Sequence, residues 1–276
     1  MRMCSRSQAR SRLGFEPVRD LFARVVVPLA GPQTPGSWLA GRRLMAIDGT
    51  VLDLADTSAN AEFFGRPASS RGEHAAFPQA RLVALAECGT HAILDAEIGP
   101  CSTSEIALSR GLAGRFKPGM LVLADRGFYG FPLWQHAADT GADLLWRAKG
   151  NAVLPVLERH QDGSFRSELI AADDKRARSD VIAVRVIEYG IDDQGRPGAK
   201  DTRYRLITTI LDPAQAPADE LAAIYAQRWE IESIFDELKT HQRGPRTVLR
   251  SKSPDLVLQE IWGHLCCHYA IRCLMA

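Results

Sequence analysis

"YAQRWEIESIFDELK" (225–239) reads as helix, but its charges are set in an unusual place. At about 100° per residue, Tyr225, Arg228, Glu232 and Lys239 fall within an arc of roughly 60°. The apolar set Ile224, Ile231, Ile234, Phe235 and Leu238 lies beside that stripe, not opposite it. Glu230 and Glu237 fall on the far side, where solvated charges are expected. An ordinary reading exists for each residue. Arg228 and Glu232 are spaced for an i,i+4 pair worth a few tenths of a kcal/mol, and Lys239 stands near a helix C-terminus, where cations are favoured.

The 276 residues carry 46% hydrophobic and 24% charged side chains, the balance of one sizeable globular core with room for a small second module. A net charge of +1 gives no global signature of a nucleic-acid binder, so any such case rests on local clusters. One such cluster is "KTHQRGPRTVLRSK" (239–252), with Lys239, Arg243, Arg246, Arg250 and Lys252 and no acid. The six cysteines show no C-x-x-C spacing and read as reduced thiols. His264, Cys267 and His268 share a helical face but also a continuous apolar stripe, which favours buried thiols and hydrogen-bonded histidines over zinc. The basic start lacks an apolar signal core, and no run is long enough to span a bilayer. The expectation is a cytoplasmic protein without a membrane partner.

Strands are expected at "RRLMAIDGTVLDL", "ARLVALAEC" and "HAILDAEIG", the last two joined at Gly89-Thr90. A helix over "TSEIALSRGLAGRF", capped by Thr103 or Ser102, precedes the strand "GMLVLADRGFYG". The helix "FPLWQHAADTG" and the strand "ADLLWRAK" follow. Residues 150–212 change texture: "VIAVRVIEYGI" and "TRYRLITTIL" are strand-like, with a turn region at 192–198 and no helical period. Two helices close the chain, one expected to run unbroken over "APADELAAIYAQRWEIESIFDELKTH".

Asp48 and Asp125 are each expected where a buried strand ends, the position at which α/β sheets present chemistry. Glu232 stands on a helix rim beside the apolar face. If that helix packs on the sheet, three carboxylates converge and repel one another unless hard cations neutralise them. Two Mg²⁺ ions roughly 3.5–4 Å apart would suit such oxygen ligands and would activate a nucleophile for phosphodiester cleavage. Each aspartate could equally well do no more than cap a strand end. "LMAIDGTVLDL" also resembles the first motif of haloacid-dehalogenase phosphatases, D-x-D-G-T. Ala46 stands where that family has its nucleophilic aspartate, so no phosphoaspartate can form.

"AIDGT", "LADRGFYG" and Y-x2-R-x3-E-x6-K (Tyr225, Arg228, Glu232, Lys239) together resemble the DDE transposases of bacterial insertion sequences, in the YREK-signature, insertion-sequence-four type. The likeness runs over residues 40–276. It implies an α/β fold with a ribonuclease-H-like catalytic core, a mixed sheet flanked by helices, and a β-rich insertion before the glutamate-bearing helix. It implies residues 1–42 as the tail of an N-terminal helical DNA-binding region, 43–149 plus 213–276 as the core, and 150–212 as the insertion. Asp48, Asp125 and Glu232 would be the catalytic, metal-binding triad for two Mg²⁺ ions, with Mn²⁺ able to substitute. Tyr225, Arg228 and Lys239 would engage the DNA backbone, with Arg243 and Arg246 extending the track. The implied partner is double-stranded DNA, element ends and target, held by a homodimer in the synaptic complex. Two alternatives stay open: a metal-dependent nuclease of the same fold without strand transfer, and a truncated remnant that only binds DNA.

Overall fold

The computed structural model describes residues 4–67, 75–171, 180–191, 202–242 and 248–276. Two helices, α1 (Cys4–Leu13) and α2 (Glu16–Val25), precede the strand pair β1 (Trp38–Leu39) and β2 (Arg42–Asp53). After α3 (Ser58–Phe64) come β3 (Gln79–Glu87) and β4 (Ile93–Pro100), then α4 (Glu105–Ala113), β5 (Met120–Ala124), α5 (Phe131–Ala138) and β6 (Asp143–Arg147). Strands β7 (Glu158–Arg159), β8 (Phe165–Ile170), β9 (Val181–Ile191) and β10 (Thr202–Thr208) follow. The chain closes with α6 (Ala218–Tyr225), a 3₁₀ turn (Ala226–Trp229), α7 (Glu230–Asp236), a π turn (Glu237–His241) and α8 (Pro254–Met275).

All strands join one sheet in the order β4-β3-β2-β5-β6-β10-β9-β8-β7, with β1 paired to β2. The meander β2–β3–β4 is antiparallel, whereas β5 and β6 add in parallel on the other side of β2. That order, with helices on both faces, is a ribonuclease-H-like core. The strands of 150–212 are antiparallel to one another and attach to the core through β10 on β6, so one sheet runs through both. The turn expected at 192–198 lies outside the described residues.

The apolar runs of β2 and β5 follow from this position, because a central strand buried on both faces has no room for polar alternation. Leu44 and Ala46 of β2 and Leu121 and Leu123 of β5 face one core, under α2, α6, α7 and α8. Met45, Ile47, Val122 and Ala124 face the other, under α4 and α5, where Trp134 and Trp146 meet edge to face at 5.2 Å. No helix among the described residues is long and apolar enough to cross a membrane.

Several expectations need correction. The N-cap of α4 is Ser104, whose hydroxyl accepts from Ala107 N–H, not Thr103 or Ser102. Cys267 and Cys273 are exposed, so only part of the "HLCCHYAIRC" face is buried. The helix bearing Glu232 follows one path from Ala218 to His241 but departs from α winding twice. Mid-helix 3₁₀ stretches and π turns mark strained or functional segments. Glu230 and Glu237 are not simply solvated. Glu230 Oε2 accepts from Gly89 N–H at 2.6 Å, in the β3–β4 turn, and Glu237 pairs with Arg272 of α8 and with His91.

Gly89 makes that turn possible. Its φ is +81°, and a Cβ there would lie 2.4 Å from the Pro35 carbonyl oxygen and 2.3 Å from Ser37 Oγ. Gly119, at φ +85°, has open space around it. Gly119→Ala should therefore cost only the left-handed strain, roughly 1–2 kcal/mol. Gly89→Ala should cost more than about 3 kcal/mol, since backbone must shift as well. Urea denaturation of the two variants checks this, and equal losses would contradict the packing described.

Candidate active site

Parallel pairing of β2 with β5 ends at Ile47 opposite Ala124, and the next residue on each strand is an aspartate. Asp48 therefore does not end its strand. It sits in the middle of β2, whose pairing with β3 continues to Asp53 opposite Gln79, while β5 stops before Asp125. Alternation turns both carboxylates to the face covered by α6 and α7, since Ala46 and Leu123, two residues back, belong to that core.

The same parity extends along the sheet. On β6 the residue is Arg147, two beyond the buried Leu145. On β10 it is Tyr204, two before Leu206, and on β9 it is Tyr189, two beyond Ile187. Asp48, Asp125, Arg147, Tyr204 and Tyr189 thus form a row across five neighbouring strands. Arg147 Nη1 lies 3.9 Å from Asp125 Oδ1, and its guanidinium sits 4.0 Å over the Tyr204 ring. Tyr204 stacks on Tyr189 at 5.5 Å and 19°. Arg147 was missed from sequence, because nothing in "ADLLWRAK" marks β6 as the neighbour of β5.

Glu232 enters from above, in the first turn of α7, with 46% of its side chain exposed. The apolar residues Ile231, Ile234 and Phe235 seat the helix on the sheet. Tyr225, expected on the DNA side, is turned inward and 4% exposed. Its hydroxyl donates to the Ala124 carbonyl at 3.2 Å, pinning the helix to the residue before Asp125. Burial pushes its phenol well above the usual tyrosine range, so it stays a donor. Arg228 is also buried, at 5% exposure. Its Nη1 lies 3.5 Å from Asp48 Oδ2 and its Nη2 3.3 Å from Glu232 Oε1. Lys239 lies half-buried in the π turn; Arg243 and Arg246 lie outside the described residues.

Among the described residues, no three histidine, cysteine, aspartate or glutamate side chains gather closely enough to hold a metal ion. Asp48 and Glu232 share the Arg228 guanidinium instead of closing on a common point. The chemistry of the donor set still suits a hard cation. Asp125 Oδ1 is buried and has no hydrogen-bond partner, and a buried acceptor left so is costly. Arg228 offsets the charge of Asp48 only in part. Burial raises the Asp48 pKa to about 6, with Glu105 and Glu232 adding to the rise, against the opposing Gly49 N–H and Arg228. The Glu105 side chain packs closely on the glycine of "AIDGT": a Cβ on Gly49 would lie 2.7 Å from it, and Glu105 would have to move aside.

Because folded Asp48 holds its proton more tightly than an unfolded aspartate, its contribution to stability is complete below about pH 4 and is lost as pH rises through about 6. Asp48→Asn should therefore stabilise the protein at pH 8 in chelator, by on the order of 2–3 kcal/mol. Near pH 4 the gain should vanish. Urea unfolding at the two pH values measures it, and a variant less stable than wild type at pH 8 would contradict the burial cost.

The row of residues can be set beside known proteins. The family described as Transposase DDE domain matches residues 39–270. Transposase InsG for insertion sequence element IS4, from Escherichia coli strain K12, is 30% identical over 272 residues, covering 96% of this chain and 59% of InsG. InsZ of the same strain is 30% identical over 140 residues, covering 51% of this chain and 47% of InsZ. The chain therefore spans about half to three-fifths the length of these relatives. A piggyBac transposase synaptic complex with hairpin DNA overlays with a TM-score of 0.48 at 11% identity, over 83% of this chain and 46% of that one. Members of the family generally work with divalent metal ions. The family match covers most of the sequence, from the strand before Asp48 into the final helix, and the chain belongs to the DDE transposases.

Proposed function

We propose that this chain carries out phosphodiester cleavage at the ends of an insertion sequence, followed by strand transfer into target DNA. The observation that supports this most is the sheet row: two aspartates on adjacent parallel strands, beneath a helix that brings Glu232, with arginines on either side. Asp48, Asp125 and Glu232 are the residues that would hold Mg²⁺, or Mn²⁺ in its place. Ions held there would supply Lewis-acid activation of the attacking oxygen and charge stabilisation at the leaving one.

The chain's own residues do the rest. Asp125 offers a lone pair on Oδ1 that no protein donor uses. Tyr225, by donating to the Ala124 carbonyl, keeps the glutamate-bearing helix in register with the strand end that presents Asp125. Arg147 has a planar fork suited to a phosphate oxygen pair, braced from beneath by the Tyr204 ring. The Tyr189–Tyr204 stack lends itself to base contact at low entropic cost. Lys239 and the exposed Arg250 and Lys252 continue the positive track along the backbone, with Arg243 and Arg246 belonging to the same track by sequence. A homodimer that brings two element ends together belongs to the same proposal.

Three experiments test this reading. Asp48→Asn, Asp125→Asn and Glu232→Gln should each abolish Mg²⁺-dependent cleavage of an element-end duplex while leaving DNA affinity largely intact. Full cleavage by any of the three removes that residue from the triad. Cleavage by wild type without joined product in a strand-transfer assay would instead indicate a nuclease. Lys239→Ala should weaken binding about equally on end-containing and scrambled duplexes. It should also make the log–log salt slope shallower by roughly one unit. A loss confined to the end sequence would mean that Lys239 reads bases.

A further inference from the structure

Arg228 occupies a position at odds with a simple phosphate contact. A DNA-facing arginine should reach solvent, yet this one is buried between a strand and the helix above it. It lies in the 3₁₀ turn Ala226–Trp229, the irregular stretch immediately before α7. Its two terminal nitrogens are divided between Asp48 of β2 and Glu232 of α7, at 3.5 and 3.3 Å. Its Nε is buried and has no hydrogen-bond partner. The guanidinium carbon sits 4.7 Å from the centre of the Trp229 ring, which is 58% exposed, and 6.0 Å from that of Tyr225.

These contacts are those of a counter-ion, not of a fixed strut. One guanidinium neutralises two carboxylates on different elements, through single long contacts in place of the bidentate fork that arginine prefers. A divalent cation held by the same two carboxylates would stand against that guanidinium with like charge in a partly buried site, where repulsion is strong. Arginine does not yield by losing its proton. It can yield only by moving, and a mid-helix 3₁₀ turn is the kind of segment that rewinds. The orphaned Nε means that departure breaks no bond there.

We infer that Arg228 is the resident counter-cation of the Asp48–Glu232 pair and gives up that place when a divalent ion binds. Metal loading and release of a forked phosphate donor toward DNA are then one event. This rests on the reading of Asp48, Asp125 and Glu232 as metal ligands and adds competition by Arg228 to it. The site is held together without metal, and the arginine is freed for a phosphate only once the carboxylates have another partner.

Calorimetric Mn²⁺ titration of the protein without DNA tests the competition. Arg228→Gln should bind Mn²⁺ at least tenfold more tightly than wild type, about 1.4 kcal/mol. Arg228→Lys keeps the charge and should stay within about threefold of wild type. In parallel, saturating Mg²⁺ should change the Trp229 emission as the guanidinium leaves its face, a change absent in Trp229→Phe. If Arg228→Gln binds no more tightly than wild type, or Arg228→Lys binds as tightly as the glutamine variant, the counter-ion role is overturned. If Arg228→Gln fails to fold by circular dichroism, the wild-type emission decides, and Mg²⁺ binding that leaves Trp229 unchanged overturns it. Asp48→Asn and Glu232→Gln separate the two layers. Should both leave Mn²⁺ affinity untouched, the metal-ligand reading fails and this inference with it. Should they abolish binding while Arg228→Gln leaves it unchanged, only the counter-ion role fails.

Discussion

The parallel pairing of β2 with β5 is the contact on which the rest of the molecule depends. It puts two apolar strands side by side at the centre of the sheet, where neither face can meet water. Both faces must then be covered, and the helices divide accordingly, α4 and α5 on one side and α6, α7 and α8 on the other. The same pairing stops one residue before two aspartates. β2 runs on past that point while β5 stops, and the shared register puts Asp48 and Asp125 at matching positions on neighbouring strands, on the same face of the sheet.

The helix carrying Glu232 is held by contacts along its whole length. Tyr225 reaches down to the Ala124 carbonyl, Glu230 reaches across to the Gly89 amide, and Glu237 reaches back to Arg272 and His91. Between them, Ile231, Ile234 and Phe235 fill the core. The winding changes at 226–229 and 237–241, on either side of α7. Rigid anchors at both ends leave a short α-helical segment with its glutamate over the sheet. The His91–Glu230 contact at 3.5 Å couples that segment to the β3–β4 turn, whose own conformation needs glycine at 89.

Electrostatics sets the site apart from the core around it. Asp48 is more stable protonated than an ordinary aspartate, Asp125 has an acceptor atom without a donor, and Arg228 is divided between two acids. Each is an expense to the folded state that packing elsewhere must cover. Such unrelieved polar groups cluster where a protein binds or reacts. Strands β9 and β10 add Tyr189 and Tyr204 to the same row, the latter against the Arg147 guanidinium of β6, so they take part in the site as well as widening the sheet.

Local sequence determined much of this. Apolar runs at 42–54 and 119–124 specify buried strands, the Gly89 turn specifies a hairpin, and the Tyr225–Lys239 spacing sets a polar stripe beside an apolar one. These features depend on periodicity and on glycine's conformational freedom, which act over a few residues and are visible in one dimension. Tertiary structure decided which strands became neighbours. Only β6 lying against β5, and β10 against β6, brings Arg147 and Tyr204 beside Asp125 from 22 and 79 residues away along the chain. It also decided that Tyr225 and Arg228 point inward and that Glu230 and Glu237 have partners. A helical stripe states which residues share a face, but burial depends on what packs against that face. Nothing within the helix itself carries that information.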